Sequence, residues 1–401
     1  MRFVTKLGVA SALAALAWPA VSISAEMRGV TATEIKIGQT MPYSGPVSAF
    51  GALGKGEVAY FKMLNEQGGI NGRKINLISL DDSYAPPKTV EQTRRLVESD
   101  EVALIFSSIG TAHNTAIAKY LQGKNIPQLF VGSGASKFAD IAQYPQATLG
   151  VQGPFRHEAR LYARYALAKN PDARFAVISQ NDDFGRDYLL GLKDVLGDKY
   201  DQLVTAATYE VQDPTVDSQI VKLKASGAEV LVIAATPKFA AQSIRKVYEI
   251  GWKPMTFLSN VAVWISTVMQ PAGLEAGTGI LSTAYVKDPD DPAWKDDAGV
   301  KAWRDFMVKY APDADLHDTN YVNAYNSAMA MEHVLKACGD DLSTENILKQ
   351  AYAINDLELP MLLPGIKINT SPTDHVPVDQ MQFMRFNGKT WDRFGELQTG
   401  N

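Results

Sequence analysis

Strand-like and helix-like segments alternate along about 250 residues of this sequence. Short apolar runs separated by amphipathic stretches predict βαβ units, in which parallel strands are joined by helices. The first series has predicted strands at 34–39, 74–80, 102–106 and 128–131, with predicted helices at 50–65, 89–98 and 112–121. This pattern predicts an α/β fold with a mainly parallel sheet.

The alternation then starts again, after a predicted crossing at 149–154. Predicted strands at 174–179, 204–209, 230–234 and 255–259 are separated by predicted helices at 184–196, 218–225 and 239–250. Beyond about residue 285, three helices are predicted at 300–310, 321–337 and 343–354, followed by strands near 365–368 and at 380–386. Two doubly wound series of similar size predict two similar lobes.

The N-terminus has the layout of a secretory signal peptide. Arg2 and Lys6 precede an apolar run at 7–21, and small residues follow up to Ala25. The alternatives are a buried helix or a membrane anchor, but a spanning helix needs about 20 apolar residues and this run is shorter. We therefore predict a signal peptide at 1–25 and a soluble, exported protein.

Composition limits the possible partners. The whole chain has a net charge of −5, which becomes −7 without Arg2 and Lys6. An acidic chain is unsuited to nucleic acid or an anionic membrane as its main partner. Cys338 is the single cysteine, so no intramolecular disulfide can form, and we expect it to be a small buried filler.

No motif in the sequence requires catalysis. The α/β-hydrolase elbow, the zinc-protease pair, the P-loop and the C-x-x-C pair are all missing from the sequence. The carboxylate pairs at 81–82 and 182–183 follow strands, where a solvated turn or a helix cap explains them as well as acid–base chemistry does. We therefore expect no enzyme, no cofactor and no metal.

Small polar residues occur where two predicted strands lead into helices. The segments 107–111 (SSIGT) and 132–136 (GSGAS) both have this character. Backbone N–H groups at a helix start can bind a carboxylate without any cationic side chain. Helix capping is the alternative role for each serine or threonine.

With these residues in place, the chain resembles the Leu/Ile/Val-binding type of type I periplasmic substrate-binding proteins, the receptors of ABC importers. The resemblance rests on an ordered set of segments: 37–40 (IGQT), 44–46 (SGP), 50–51 (FG), 65–73 (NEQGGINGR), 81–82 (DD), the two polar loops, 183–185 (DFG), and the tyrosines at 321 and 325.

The resemblance implies two Rossmann-like lobes joined by a three-segment hinge, with a ligand enclosed between them. The implied boundaries place 26–152 and 284–360 in lobe 1, and 153–283 and 361–401 in lobe 2. Ligand binding would close the hinge, and membrane permease subunits would recognise the closed form. We expect a monomer.

The resemblance also implies a set of ligand-binding positions. The carboxylate-binding loops correspond to Ile109, Gly110, Thr111, Gly134, Ala135 and Ser136, and the covering aromatic residue to Phe50. The second lobe would contribute Phe155, Arg156, Thr236 and Asn260, and the late helix Tyr321.

Two of these positions favour a particular ligand class. Amino-acid binders of this family hold the ligand ammonium with acidic side chains, and here the corresponding positions are Phe155 and Asn260. An ammonium buried without a carboxylate partner is costly. The sequence therefore favours a small organic acid of the benzoate or cinnamate type, with aromatic walls that include Trp264 and with Arg156 as a hydrogen-bond donor.

Three alternatives remain open. A branched-chain or other aliphatic amino acid would bind if an acidic residue such as Asp182 entered the pocket. The chain could instead be an exported α/β enzyme acting on small carboxylates. It could also be a sensing domain that feeds a receptor rather than a transporter.

Overall fold

The computed structural model describes residues 27–400, so the predicted signal peptide lies outside the described residues. The strands are β1 (Glu34–Met41), β2 (Lys74–Asp81), β3 (Ile105–Phe106), β4 (Gln128–Val131), β5 (Ala147–Leu149), β6 (Phe175–Gln180), β7 (Val204–Tyr209), β8 (Val230–Ala234), β9 (Met255–Leu258), β10 (Leu281–Ala284), β11 (Gln380–Phe386) and β12 (Trp391–Thr399).

The helices follow the same chain order. They are α1 (Gly51–Glu66), α2 (Pro86–Glu98), α3 (Thr111–Gly123), α4 (Phe155–Lys169), α5 (Asp183–Leu196), α6 (Tyr200–Leu203), α7 (Asp217–Ala225), α8 (Pro237–Glu249), α9 (Gln270–Ala272), α10 (Leu274–Gly277), α11 (Ala298–Tyr310), α12 (Asn320–Ala337) and α13 (Thr344–Ala351). In this described range, no helix is both long enough and apolar enough to cross a membrane.

The strands form two sheets, which confirms the predicted α/β fold with two lobes. Lobe 1 contains a parallel sheet in the order β2-β1-β3-β4-β5. Lobe 2 contains the order β12-β11-β10-β9-β8-β6-β7, parallel from β10 to β7 and antiparallel at β11 and β12. Every residue of β6 and β8 is buried, as expected for central strands with helices on both faces.

The chain passes between the lobes more than once. It leaves lobe 1 after β5 and returns after β10, because α12 packs against α1. It then re-enters lobe 2 to add β11 beside β10. The chain therefore passes between the lobes three times. The exact residues at which each lobe begins and ends stay a prediction.

Several local predictions have direct outcomes. Asp182 caps α5 by accepting hydrogen bonds from the backbone N–H groups of Phe184 and Gly185, at 3.0 and 3.3 Å. Cys338 is buried and free, as predicted. The predicted strand at 365–368 is wrong, since this segment makes an isolated bridge between Leu357 and Ile368. The sequence analysis also missed α4, β5, β10 and β12.

Candidate ligand-binding site

A cavity of about 470 Å³ lies between the lobes, and we call it the inner cavity. Lobe 1 supplies residues from the start of α1, from the ends of β3 and β4, and from α12. Lobe 2 supplies the segment that follows β9. The lining residues are Phe50, Leu53, Ser107, Ile109, Phe130, Gly132, Gly150, Val151, Gln152, Asn260, Val261, Trp264, Tyr285, Asn320, Asn323 and Ser327.

Two aromatic rings close the inner cavity from opposite lobes. Phe50 of lobe 1 meets Trp264 of lobe 2 edge to face, with ring centroids 5.1 Å apart and planes at 85°. Both side chains are buried, at 8% and 4% exposure. Edge-to-face aromatic pairs contribute about 0.5–1.5 kcal/mol beyond the burial of their surface. Because the two rings come from different lobes, the position of the lobes relative to each other determines the shape of the cavity at this wall.

Several buried polar atoms of the lining have no hydrogen-bond partner within the protein. They are Nε2 of Gln152, Oδ1 of Asn260 and Oδ1 of Asn320. Asn320 turns its amide nitrogen to Asp318 at 2.8 Å, so its oxygen is the atom left free. Buried polar groups without a partner are costly. The arrangement thus offers one donor and two acceptors to a small molecule with polar groups of its own.

None of the described residues that line the inner cavity is charged. Glu57 lies one turn after Leu53 on α1, is fully buried, accepts a hydrogen bond from Gln39 and lies near Ser107. Burial raises the pKa of Glu57 to about 8, so its carboxyl is largely protonated at pH 7. The wall behind Ser107 is therefore close to neutral as well.

A second buried carboxyl holds Asn260 in position. Glu158 of α4 accepts hydrogen bonds from the hydroxyls of Tyr162, Tyr188 and Thr283. It also accepts from the backbone N–H of Asn260, at 3.1 and 3.3 Å to its two oxygens. Burial raises the pKa of Glu158 to about 7. Because its oxygens are occupied by protein donors, Glu158 supports the cavity wall rather than facing the cavity.

An outer cavity of about 700 Å³ adjoins the inner one. The two cavities share Asn260, Trp264, Tyr285 and Asn323, and the Tyr285 hydroxyl donates to Oδ1 of Asn323 at 3.2 Å. The outer cavity is lined by charged side chains that include Asp288, Asp290, Asp291, His317 and Arg393. Two of its acids are paired, Asp290 with His317 at 2.6 Å and Asp291 with Arg393 at 3.2 Å. The two cavities therefore differ sharply in charge.

Comparison with known proteins identifies the fold family. The sequence model of the periplasmic binding protein family matches residues 34–390. The chain belongs to this family, in its Leu/Ile/Val-binding branch. The family consists of periplasmic receptors that bind small ligands for ABC transporter permeases, and its members bind solutes rather than convert them.

Relatives and solved structures agree with this assignment. The receptor is 28% identical over 322 residues to "Leu/Ile/Val-binding protein homolog 1" of Brucella abortus, covering 77% of this chain and 80% of that protein. It is 23% identical over 362 residues to "Leu/Ile/Val-binding protein homolog 7" of the same species, covering 84% of this chain and 86% of that protein.

Two solved structures share the fold at low sequence identity. A branched-chain amino acid ABC transporter protein of Thermus thermophilus with bound valine has a TM-score of 0.80 at 16% identity, covering 92% of this chain and 97% of that one. A fatty acid ABC transporter substrate-binding protein of Thermomonospora curvata has a TM-score of 0.75 at 18% identity, covering 93% and 94%.

Three of the twelve predicted site residues line the inner cavity of the receptor: Phe50, Ile109 and Asn260. The structure does not place the other nine in the described lining of either cavity.

The two loops predicted to bind a carboxylate bond mainly to the protein itself. Gly110 has a φ of +108°, a conformation that glycine adopts freely, and its N–H bonds to Gly132. The Thr111 hydroxyl is 2.7 Å from that of Ser133. In the second loop, the Gly134 carbonyl accepts from Phe155, and the Ala135 N–H donates to the Ser133 hydroxyl at 3.1 Å.

Ser136 does bind a carboxylate, but the carboxylate belongs to Asp187. That a ligand uses the donors of these loops stays a prediction; in this structure the Ser136 donors bond to Asp187.

The predicted lobe 2 positions also make contacts within the protein, and their ligand role stays a prediction. Arg156 makes a two-point ion pair with Asp194, with both N–O distances at 2.7 Å. Phe155 packs in a ring cluster, with centroids 4.8 Å from Phe184 and 5.8 Å from Tyr188.

Two further predicted positions are also engaged elsewhere in the protein. Thr236 bonds to the Tyr209 hydroxyl through both its N–H and its hydroxyl, at 2.9 and 3.2 Å. The Tyr321 ring lies beside Gly56, against α1.

Sequence reasoning missed much of the lining, although part of it carried a signal. Asn320, Asn323 and Ser327 lie at positions i, i+3 and i+7 of α12 and share one face of that largely buried helix. Polar residues at this spacing on a buried helix indicate a polar site. Gln152 and Tyr285 lie in the segments that connect the lobes, and no local pattern marks them.

Proposed function

We propose that the receptor captures a small aromatic acid of the benzoate or cinnamate type in the inner cavity. The aromatic ring would lie against the Phe50–Trp264 pair. The carboxylate would accept hydrogen bonds from the neutral donors of the lining, such as Gln152, rather than from the loops at 109–111 and 134–136. A carboxylate bound by neutral donors still gains from charge-assisted hydrogen bonds.

The observation that carries this proposal is the chemistry of the lining. Aromatic and aliphatic walls surround a few amide and hydroxyl groups, the pattern of sites for small apolar ligands with few polar groups. An uncharged lining favours a ligand with one charge over a zwitterion, because each buried charge needs partners.

A branched-chain or other aliphatic amino acid is the second candidate. The names of the Brucella relatives and the valine bound in the Thermus thermophilus structure favour it. Its ammonium would need a carboxylate partner. Glu158 is occupied by protein donors, and Asp182, considered for this role from the sequence, caps α5. These two observations support the aromatic acid over the amino acid.

A ligand panel tests the proposal. The purified receptor is titrated by calorimetry with benzoate, cinnamate, leucine and valine, together with benzamide and cyclohexanecarboxylate as analogues that lack the charge or the aromatic ring. We expect heat and a raised melting temperature with benzoate or cinnamate, and a weaker response with both analogues. Binding of leucine or valine alone would overturn the proposal.

A pair of variants shows whether the inner cavity is the site. Asn320→Ala removes an unpartnered oxygen of the lining. Val308→Ala is the matched control, since Val308 is 64% exposed on α11. We expect Asn320→Ala to change the affinity for the aromatic acid at least threefold and Val308→Ala to leave it unchanged. Equal affinities in both variants would place the ligand elsewhere.

A further inference from the structure

A carboxylate of the receptor itself occupies an anion-binding position between the lobes. In lobe 1, the N–H of Ser136 donates to Oδ2 of Asp187 and the Ser136 hydroxyl donates to Oδ1, both at 2.7 Å. The backbone N–H of Arg156, at the start of α4, also faces this carboxylate. We call these donors the Ser136 seat. Asp187 is 5% exposed, so its carboxylate lies almost wholly inside the closed cleft.

A second contact joins the same two segments. Lys137 forms an ion pair with Asp183 at 2.6 Å, and Asp183 lies one turn before Asp187 on α5. Both side chains of this pair are 24% exposed. Partly exposed ion pairs contribute little to stability, whereas a buried carboxylate that loses its donors is costly. Asp187 is therefore the contact on which closure at this edge depends, and Asp183 provides a natural comparison.

We propose that Asp187 fastens the closed cleft by filling the Ser136 seat, and that it thereby excludes carboxylates of the ligand from that seat. Both Ser136 donors point at Asp187, so an incoming carboxylate would have to displace it. The displaced Asp187 would be left buried without partners, next to a second negative charge. Asp187 is thus a specificity-determining residue, a role that rests on the proposed function as a receptor for small acids.

Chemical rescue with formate tests the seat directly. Asp187→Ala removes the carboxylate and leaves a space of similar size beside Ser136. We expect the melting temperature of this variant to fall, and formate to raise it by about 2–4 °C relative to equal concentrations of chloride. The wild-type protein and Asp183→Ala should show no such rise, because their seat is filled.

The double variant Ser136→Ala, Asp187→Ala supplies the decisive comparison. It lacks the hydroxyl of the seat, so we expect its response to formate to fall to half or less of that of Asp187→Ala. An equal formate effect in wild type, Asp183→Ala and Asp187→Ala would overturn the proposal, and so would an undiminished effect in the double variant.

If Asp187→Ala does not fold, a second measurement tests the proposal. Asp187→Asn keeps the shape of the side chain but turns an amide N–H₂ toward the donors of Ser136. We expect small-angle scattering of the ligand-free Asp187→Asn protein to give a larger radius of gyration than that of Asp183→Asn. Equal radii would overturn the proposal. Neither measurement uses the natural ligand, so a failure of benzoate and cinnamate to bind would contradict the proposed function and leave these results unaffected.

Discussion

Replacing Glu158 should destabilise the protein, because Glu158 supports the wall of the inner cavity without facing the cavity. The Glu158→Ala change removes the acceptor of three hydroxyls and of the Asn260 N–H. Tyr162 and Tyr188 keep other acceptors, the Leu258 carbonyl and the Ser259 hydroxyl, so each loses about 1 kcal/mol.

The Asn260 N–H has no other acceptor among its described contacts, and leaving it unpartnered costs about 1–3 kcal/mol. With the Thr283 bond and the lost side-chain packing, we expect the free energy of unfolding to fall by about 4–7 kcal/mol.

Urea unfolding of the ligand-free protein at pH 5 measures this loss. At that pH the carboxyl is below its pKa of about 7 and is protonated in the folded protein, so neither variant relieves a buried charge. Glu158→Gln keeps one acceptor oxygen and the shape of the side chain, so we expect it to cost about 2 kcal/mol or less. Glu249→Ala, on the exposed face of α8, is the control and should stay within about 0.5 kcal/mol of wild type. A loss below about 1 kcal/mol in Glu158→Ala would refute the argument.

Three further predictions follow from the site. Burial raises the pKa of Glu57 to about 8, so its contribution to stability is present below its ordinary pKa near 4.5 and is lost as the pH rises toward 8. Glu57→Gln removes the titrating group. Urea unfolding should therefore show the stability of the variant rising relative to that of wild type between pH 5 and pH 8, and a constant difference between the two proteins over this range would contradict the prediction. Phe50→Ala removes one ring of the pair with Trp264, and calorimetry should show at least a tenfold loss of affinity for the aromatic acid, whereas an unchanged affinity would move the ligand out of the inner cavity. Arg156→Ala should leave that affinity within twofold of wild type because Arg156 pairs with Asp194, and a tenfold loss would return Arg156 to the site.

Much of the fold could be predicted because the central strands are short, apolar and bounded by polar residues. The predicted strands at 128–131, 204–209 and 230–234 match β4, β7 and β8 residue for residue. The misses have physical causes. Most residues of β12 are exposed or half-exposed, so it lacks the alternation that marks a half-buried strand. β10 has two polar residues among its four, so it lacks the apolar run that marks β4 and β8.

The candidate site was less predictable because its residues are brought together by closure of the lobes. The position of Ser136 after β4 predicted a loop that binds a ligand carboxylate, and no spacing in the sequence shows that Asp187 reaches this loop from 51 residues away. From the sequence alone, Arg156 could lie in the cleft or on the surface. Its pairing with Asp194 depends on how α4 and α5 pack. Contacts between distant segments need the tertiary structure.

The interleaved path of the chain also constrains how the protein can be made. On the ribosome, the sheet of lobe 1 is complete at β5, but α12, which packs against α1, follows some 170 residues later. Lobe 2 likewise waits for β11 and β12, at 380–399, to complete its sheet. Neither lobe can therefore reach its final packing while much of the chain is still being synthesised. The nascent polypeptide leaves apolar surfaces uncovered during that interval, so we expect its folding to depend on protection of these surfaces until the last strands emerge.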